Sequence, residues 1–404
     1  MTRGLGWLAA FVLLAAAATG CQERLTAPAE CPELCPGGQS RMFDTVIPPL
    51  ANLDTSYVGY VARASAGALL VSNGLPASED RAVIRFAARA DSIVDANDTL
   101  RAYTVDSALL ALNLVARDTL VNGLKLYLYR IDPGVDADDT FESVNPQLVP
   151  TAIIDSIEVP DSVNSGLVQT VLRGAEVEKV ALPTGGGGVL AMGVAMAADQ
   201  PSGVRLGSSV AGTGATFLSY VTLDVADTGS RHQSVTRLPA FNAFVTQSPP
   251  VPDDAFLTVG GEPSARALLR FDLPEDIEDS ATIVRATLEL VPRSPILGLP
   301  SDPALLLAKA LLADLGAKSP VTTDVGFISS DTLALGSADT VRLDVTSIVR
   351  LWQAASERPE AVFLSLLPEG ASFTRPVFGS TRSGTVGAPR LRITYLKPFP
   401  FESP

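Results

Sequence analysis

Two short stretches of the chain decide its fold class. Residues 81–86 read RAVIRF and residues 266–271 read RALLRF, so four of the six letters are identical and the other two exchange one aliphatic residue for another. In the second stretch, continued as RALLRFDL, apolar residues alternate with charged ones. This is the period of a strand with one buried face, so both stretches are predicted to be strands of an antiparallel sheet.

Other segments recur in the same order around these two strands. The paired segments are 67–74 with 254–261, 106–115 with 284–291, 123–132 with 303–314, 177–183 with 339–345, 189–196 with 361–367, 204–209 with 376–381, and 220–225 with 390–395. Recurrence in one order predicts two diverged copies of a single domain. The expected boundaries are 44–228 for domain 1, 229–235 for a linker, 236–397 for domain 2 and 398–404 for a tail.

Short strands separated by turns predict an all-β protein made of two tandem antiparallel jelly-roll-type β-sandwiches. The 32 glycines and 30 prolines suit such a fold better than a helical bundle. Residues 303–314 are rich in Ala and Leu but are predicted to be a strand, because their repeat partner alternates. One short helix is predicted over 344–357, with Asp344 as its N-cap. The first copy, which has TGGGG at 184–188, is expected to lack it.

The N-terminus indicates export. Residues 1–20 combine one cation with an apolar run too short to span a membrane, and ATGC at 18–21 is similar to a bacterial lipobox. Cys21 is therefore the expected lipidation site, followed by a flexible stalk over 21–43. The alternatives are an ordinary secretory signal with a structural Cys21, or a retained anchor helix. Gln22 favours the outer membrane or the cell surface as the destination.

Two further cysteines, Cys31 and Cys35, lie in CPELCPGG within the stalk. A local disulfide between them is one interpretation, because exported thiols tend to oxidise. The other is that both are tether residues, since so short a loop gains little stabilisation from a cross-link.

The second copy resembles the DNRLRE domain, a bacterial β-sandwich grouped with carbohydrate-binding modules. The resemblance covers 236–397 directly, and 44–228 only through the internal repeat. Its elements are Phe271, Leu273, Asp344, Val345, Thr346, Ser380 and Pro389. The string DNRLRE itself is absent, and the first copy lacks the Asp-Val-Thr element. The resemblance implies a jelly roll and glycan binding, and it does not imply catalysis.

Charge and composition exclude several functions. The net charge of −14 argues against a nucleic-acid partner. The single histidine, His232, falls in the polar segment between the copies, away from any nucleophile motif, and it rules out histidine-based metal centres. No cofactor is expected. A pair of carboxylates acting as a polysaccharide hydrolase stays open as a minor alternative.

An acidic loop and a basic segment are the remaining candidate sites. Asp136, Asp138 and Asp139 are a weak calcium candidate, with a solvated hairpin loop as the alternative. Residues 370–395 contain four arginines and no acidic residue. Guanidinium groups suit the carboxylates of uronic acids, so these arginines are predicted to bind glycan, with local ion pairing as the alternative. They are Arg375, Arg382, Arg390 and Arg392.

These observations favour a non-catalytic, lipid-anchored protein of the cell envelope that binds polysaccharide or another envelope component. The rival hypothesis is a structural or adhesive spacer that binds a protein partner. The membrane, through the lipid, is the expected attachment, and the sequence leaves the oligomeric state open.

Overall fold

The computed structural model describes residues 42–76, 78–95, 97–180, 188–225, 231–247, 254–262, 264–299, 303–355, 357–384 and 387–397. The predicted signal peptide, the tail and three candidate residues, Cys21, Cys31 and Cys35, lie outside these ranges. So does the stalk, except for its last two residues, which begin the first strand.

Antiparallel strands are the main secondary structure of the described chain, as predicted. The N-terminal half contains β1 (Met42–Ile47), β2 (Thr55–Val58), β3 (Ala68–Asn73), β4 (Glu79–Phe86), β5 (Ile93–Val94), β6 (Leu100–Arg101), β7 (Tyr103–Arg117), β8 (Lys125–Ile131), β9 (Ile153–Glu158), β10 (Gly166–Arg173), β11 (Ala191–Ala197) and β12 (Ser202–Gly207). The C-terminal half contains β13 (Thr216–Leu223), β14 (His232–Arg237), β15 (Pro239–Gln247), β16 (Phe256–Thr258), β17 (Ala265–Arg270), β18 (Thr282–Leu290), β19 (Leu305–Ala310), β20 (Ile328–Thr332), β21 (Val341–Asp344), β22 (Ala361–Leu367), β23 (Val377–Gly379) and β24 (Arg390–Leu396). The helices are α1 (Phe141–Val144), α2 (Ala175–Val180), α3 (Glu275–Glu278) and α4 (Thr346–Ala354).

The strands form two β-sandwiches with matching topology. In sandwich 1, sheet I has the order β14-β13-β7-β12-β3, with β10 also on β7, and sheet II has the order β15-β4-β11-β8-β9. In sandwich 2, sheet III has the order β1-β24-β18-β21, sheet IV has the order β2-β17-β22-β19-β20, and β16 pairs with β23. The two quoted strands, β4 and β17, hold the same place in sheets II and IV. The predicted repeat is therefore also a repeat of structure.

Each sandwich buries the inward side chains of its two sheets against each other. In sandwich 1 the rings of Phe86 and Phe217 meet across the core with centroids 5.6 Å apart. In sandwich 2, Leu288 and Ile393 of sheet III share a core with Leu269 of sheet IV. Each such side chain contributes roughly 1.5–3 kcal/mol on burial, which offsets the entropy lost by the many loops.

Strand pairing divides the chain differently from the expected boundaries at 44–228 and 236–397. β1 pairs with β24 from Met42–Leu396 to Ile47–Leu391, and β2 pairs with β17. The first strands of the predicted domain 1 thus complete sandwich 2, because Ile47 is buried in its core.

Residues 231–235, the described part of the predicted linker, and the start of the predicted domain 2 belong in turn to sandwich 1. Residues 232–237 form β14, which pairs with β13, and β15 pairs with β4. His232 therefore lies on a strand, where its Nδ1 is 3.1 Å from the Thr222 hydroxyl. The two strands before the first repeat complete sandwich 2, and the two strands before the second repeat complete sandwich 1. We call this reciprocal exchange of strands ring closure.

In each sandwich, a similar pair of hydrogen bonds holds the two strands that come from the other repeat. Asp54, at the start of β2, accepts hydrogen bonds from the backbone N–H of Thr381 (2.7 Å) and from its hydroxyl (2.6 Å). Asn242, on β15, accepts from the backbone N–H of Ser209 (2.8 Å) and from its hydroxyl. Both acceptors are buried. In each case the partner follows a Gly-Ser pair, in GSS and GST respectively, so the repeated sequence carries a repeated anchor.

The two sandwiches also share apolar contact. Phe373 and Leu299, from the second repeat, pack into the core cluster of sandwich 1. Phe373 lies directly over Gly203 of β12, where a Cβ would come within 2.8 Å of the ring. The backbone N–H of Gly59, in the segment joining β2 to β3, donates to the carbonyl of Ser264 (2.8 Å).

The helices confirm one prediction and correct another. α4 is the predicted helix, and the Asp344 carboxylate accepts from the N–H of Thr346 (3.0 Å) at its first turn, one residue earlier than an N-cap in the strict sense. The expectation that the first copy lacks a helix is wrong, because α2 occupies the equivalent place after β10. Residues 177–180, the described part of the segment paired with 339–345, are helical, and Val177 and Val180 point into the core at helical spacing. The strand predicted within 303–314 is confirmed as β19.

Candidate binding surfaces

The outer face of sheet III carries four exposed arginines, which we call the basic face. Inward positions on β24, such as Leu391 and Ile393, alternate with outward ones, and the neighbouring strands follow the same period. The members of the basic face are Arg285, Arg342, Arg390 and Arg392. Four of the chain's cationic side chains are thus gathered on one surface of a chain whose net charge is −14.

Three acids share this outer face: Asp44 on β1, Asp344 on β21 and, in the middle of the basic face, Glu289. Glu289 lies directly opposite Arg390 on β24 and opposite Arg342 on β21. Its Oε1 is 3.7 Å from Nε of Arg342 and 3.6 Å from Nε of Arg392. Exposed ion pairs of this kind contribute about 0–1 kcal/mol, so they leave the guanidinium groups available to an external anion.

The structure brings together only two of the four predicted arginines. Arg382 is a structural residue, because its guanidinium donates to the carbonyl oxygens of Asn52 (3.3 Å), Asp54 (2.6 Å) and Asp254 (2.6 Å). Arg375 lies between the sandwiches near Glu262, and burial lowers its pKa. The prediction of one site from Arg375, Arg382, Arg390 and Arg392 is therefore corrected to Arg390 and Arg392 alone.

Sequence reasoning missed the other half of the basic face. Arg285 and Arg342 lie about 100 and 50 positions before β24 in the chain, and only the order β24-β18-β21 brings them beside it. The alternation in TIVRATLEL does place Arg285 and Glu289 on the same side of β18, which is the signal available from the residues.

The carboxylates of the acidic loop bond to the loop's own backbone. The carboxylate of Asp139 accepts from the N–H of Asp136 (2.9 Å), and that of Asp136 accepts from the N–H of Asp138 (2.9 Å). These carboxylates cap turns before α1. Across the described ranges, no three His, Cys, Asp or Glu side chains come together to hold a metal ion.

A cleft of about 440 Å³ lies where the chain crosses between the sandwiches. Burial raises the pKa of Glu262, one of its lining residues, to about 8, although Arg63 and Arg375 oppose that shift. Nearby, Asp80 accepts from the hydroxyls of Ser72 (2.7 Å) and Thr246 (2.6 Å), and burial raises its pKa as well. Glu262 is thus a protonated carboxyl group at neutral pH.

The outer face of sheet I, which corresponds to the basic face, has a different chemistry. Leu218 and Leu109 lie opposite each other there, beside the exposed Tyr220 on β13 and the exposed Leu167 and Val171 on β10. The same surface of the repeat is therefore basic in sandwich 2 and largely apolar in sandwich 1.

No family model matches the chain, and no curated protein matches its sequence. The DNRLRE resemblance stays a prediction. Within the part of the chain that the structure describes, no helix has the length and apolar character needed to cross a bilayer.

Proposed function

We propose that this protein is a non-catalytic, lipid-anchored component of the cell envelope that binds acidic polysaccharide on its basic face. The observation that supports the proposal is the set of four exposed arginines on the outer face of sheet III, of which Arg342, Arg390 and Arg392 surround Glu289. In a chain of net charge −14, such a surface selects an anionic ligand by attraction at the face and repulsion elsewhere.

Polymer carboxylates suit this surface better than a small ligand. Arg390 and Arg392 alternate along one strand, so their side chains lie about 6.8 Å apart. Arg342 extends the row across the sheet on β21. A flat, open array of bidentate donors fits successive uronic acid units, because each guanidinium engages one planar carboxylate.

A charge-reversal experiment tests the binding face. Arg390→Glu combined with Arg392→Glu is expected to weaken retention in gels containing acidic polysaccharide by on the order of tenfold or more, because two charge-assisted contacts become repulsive. Rising salt is expected to weaken the unaltered protein's binding, since exposed charges are screened. Neutral polysaccharide is expected not to retard either protein.

The matched control changes the same net charge on sandwich 1. Arg130→Glu with Arg231→Glu, both exposed, should leave retention within about twofold of the unaltered protein. Equal retention of the Arg390/Arg392 variant would contradict the proposal. Retention of neither protein on any polysaccharide would favour the spacer that binds a protein partner, for which the apolar outer face of sheet I is the supporting observation.

The anchor is tested separately. In the proposal, Cys21 carries the lipid and holds the exported protein on the membrane, so Cys21→Ala is expected to release the protein into the soluble exported fraction. Cys31→Ala is the matched control and is expected to stay with the membrane. Membrane retention of the Cys21 variant after a high-salt wash would contradict a lipid anchor.

A further inference from the structure

Strand β10 forms an outer edge of sandwich 1. Residues 107–111 of β7 pair with β13 and also with β10, so these two neighbours lie on opposite sides of β7. In the described part of the chain β10 pairs with no other strand. Its second row of backbone N–H and C=O groups therefore faces outward, as a template for another strand.

The edge has none of the usual protection. β10 reads GLVQTVLR over eight residues, and its one charge, Arg173, is at the end. The side chains of Leu167 and Val171 are 66% and 42% exposed. The equivalent edge of sandwich 2, β21, has four residues, VRLD, of which two are charged. Short, charged edges resist pairing and long uncharged ones invite it, so the two repeats differ in the property that governs strand addition.

We propose that β10 pairs antiparallel with β10 of a second copy of this chain, about a two-fold axis that passes through Gln169. Val168 and Leu172 point into the core, so Leu167, Gln169 and Val171 share the outer face. With Gln169 opposite Gln169 of the second copy, Leu167 lies opposite Val171 of the second copy, and the axis repeats that contact. Both apolar side chains thereby gain an apolar partner, and no like charges face each other.

Another edge strand with exposed apolar residues fails the same test. β1 presents Met42 and Val46 on its outer face, with Asp44 between them. Its antiparallel self-pairing in the corresponding register would place Asp44 opposite Asp44 of the second copy, which destabilises the contact. Of these two edges, β10 is the one whose own sequence complements itself.

The resulting dimer is expected to be reversible. Edge pairing joins the two copies of sheet I into one continuous sheet and uses one isologous patch, as a two-fold dimer requires. Because it buries mainly one strand on each side, it belongs with the small, transient interfaces, and dissociation at on the order of micromolar concentration is expected.

Cysteine cross-linking reports the register. In the full chain with Cys21, Cys31 and Cys35 replaced by serine, Gln169→Cys is expected to form a covalent dimer on mild oxidation, because opposite Cα atoms lie about 4.5–5.5 Å apart. Leu167→Cys alone is the matched control and should stay monomeric, since two copies of residue 167 would be about 14 Å apart. An equimolar mixture of Leu167→Cys and Val171→Cys should cross-link.

A charged residue at the proposed two-fold axis tests how strongly the two copies bind. Gln169→Lys is expected to weaken dimerisation by about tenfold in sedimentation, because two ammonium groups then face each other. Ser234→Lys, on the exposed far edge of the same sheet, should leave it unchanged. A protein that is monomeric at hundreds of micromolar would overturn the proposal. So would a dimer in which Leu167→Cys cross-links to itself as readily as Gln169→Cys, which would mean a different register or stacking of the outer faces.

Discussion

A chain lacking residues 42–61 is expected to lose the folded state of sandwich 2. β24 and β17 would each lose a neighbouring strand, and the core would lose Ile47. The N–H of Thr381 would lose its acceptor on Asp54. The combined loss is comparable to the 5–15 kcal/mol that typically holds a domain together. Hydrogen exchange is the measurement, with protection of β17 and β24 expected to vanish.

Two controls separate this effect from loss of the tether. Deleting residues 22–41 is expected to leave protection unchanged, and adding a peptide of residues 42–61 to the truncated chain should restore it in part. A protease site inserted between Gln247 and Asp254 gives a second readout. After cleavage the two pieces should stay together in the otherwise unaltered protein, because β1 and β2 remain in sandwich 2, and they should separate in the truncated one. Full protection of β24 without residues 42–61 would contradict ring closure.

Glu262→Gln is expected to stabilise the protein by about 3 kcal/mol at pH 7. Burial raises the pKa of Glu262 to about 8 from the usual value near 4.5, with Arg63 and Arg375 opposing the shift and Asp80 adding to it. The folded protein therefore holds a proton that the unfolded chain releases, and stability falls as pH rises from about 4.5 to about 8. Gln keeps the neutral shape and removes that dependence.

Unfolding measured by denaturant at several pH values checks this prediction. The gain from Glu262→Gln should be near zero at pH 4, grow steadily to about pH 8 and then level off. Glu142→Gln is the matched control, since Glu142 lines the same cleft but is exposed, and it should shift stability by less than about 0.5 kcal/mol. A gain that is the same at pH 4 and pH 8 would show that the side chain's charge is not responsible.

The fold class could be predicted from the sequence, because the alternation of apolar and polar residues along a strand depends only on neighbouring residues. The duplicated strands β4 and β17 and the helix α4 follow from such patterns. α2 was missed because it has only about one and a half turns, although its two buried valines, three positions apart, have helical spacing. Length is what separates the two readings, and six residues are too few.

Strand partnership was beyond the reach of local pattern. Nothing in the residues of β1 and β15 says which sheet they join. The strand register makes Leu69 of β3 and Leu257 of β16 equivalent, and Asp54 and Asn242 each stand 15 positions before these leucines. That spacing marks β2 and β15 as the same element of the repeat. The basic face could not be predicted for the same reason, since only the order of strands in the sheet brings Arg285 and Arg342 beside Arg390 and Arg392.

Ring closure imposes an order on biosynthesis. Sandwich 1 has all its strands once residue 247 has been made, so it can mature while the rest of the chain is still emerging. β1 is made first but waits for β24, and the hydroxyl of Thr394 meets the carboxylate of Asp44 across 350 positions. Contacts between such remote residues form slowly, because a long loop must close before they stabilise anything. The strand nearest the start of the folded body is therefore expected to be among the last to settle, and its docking to be the slow step of maturation.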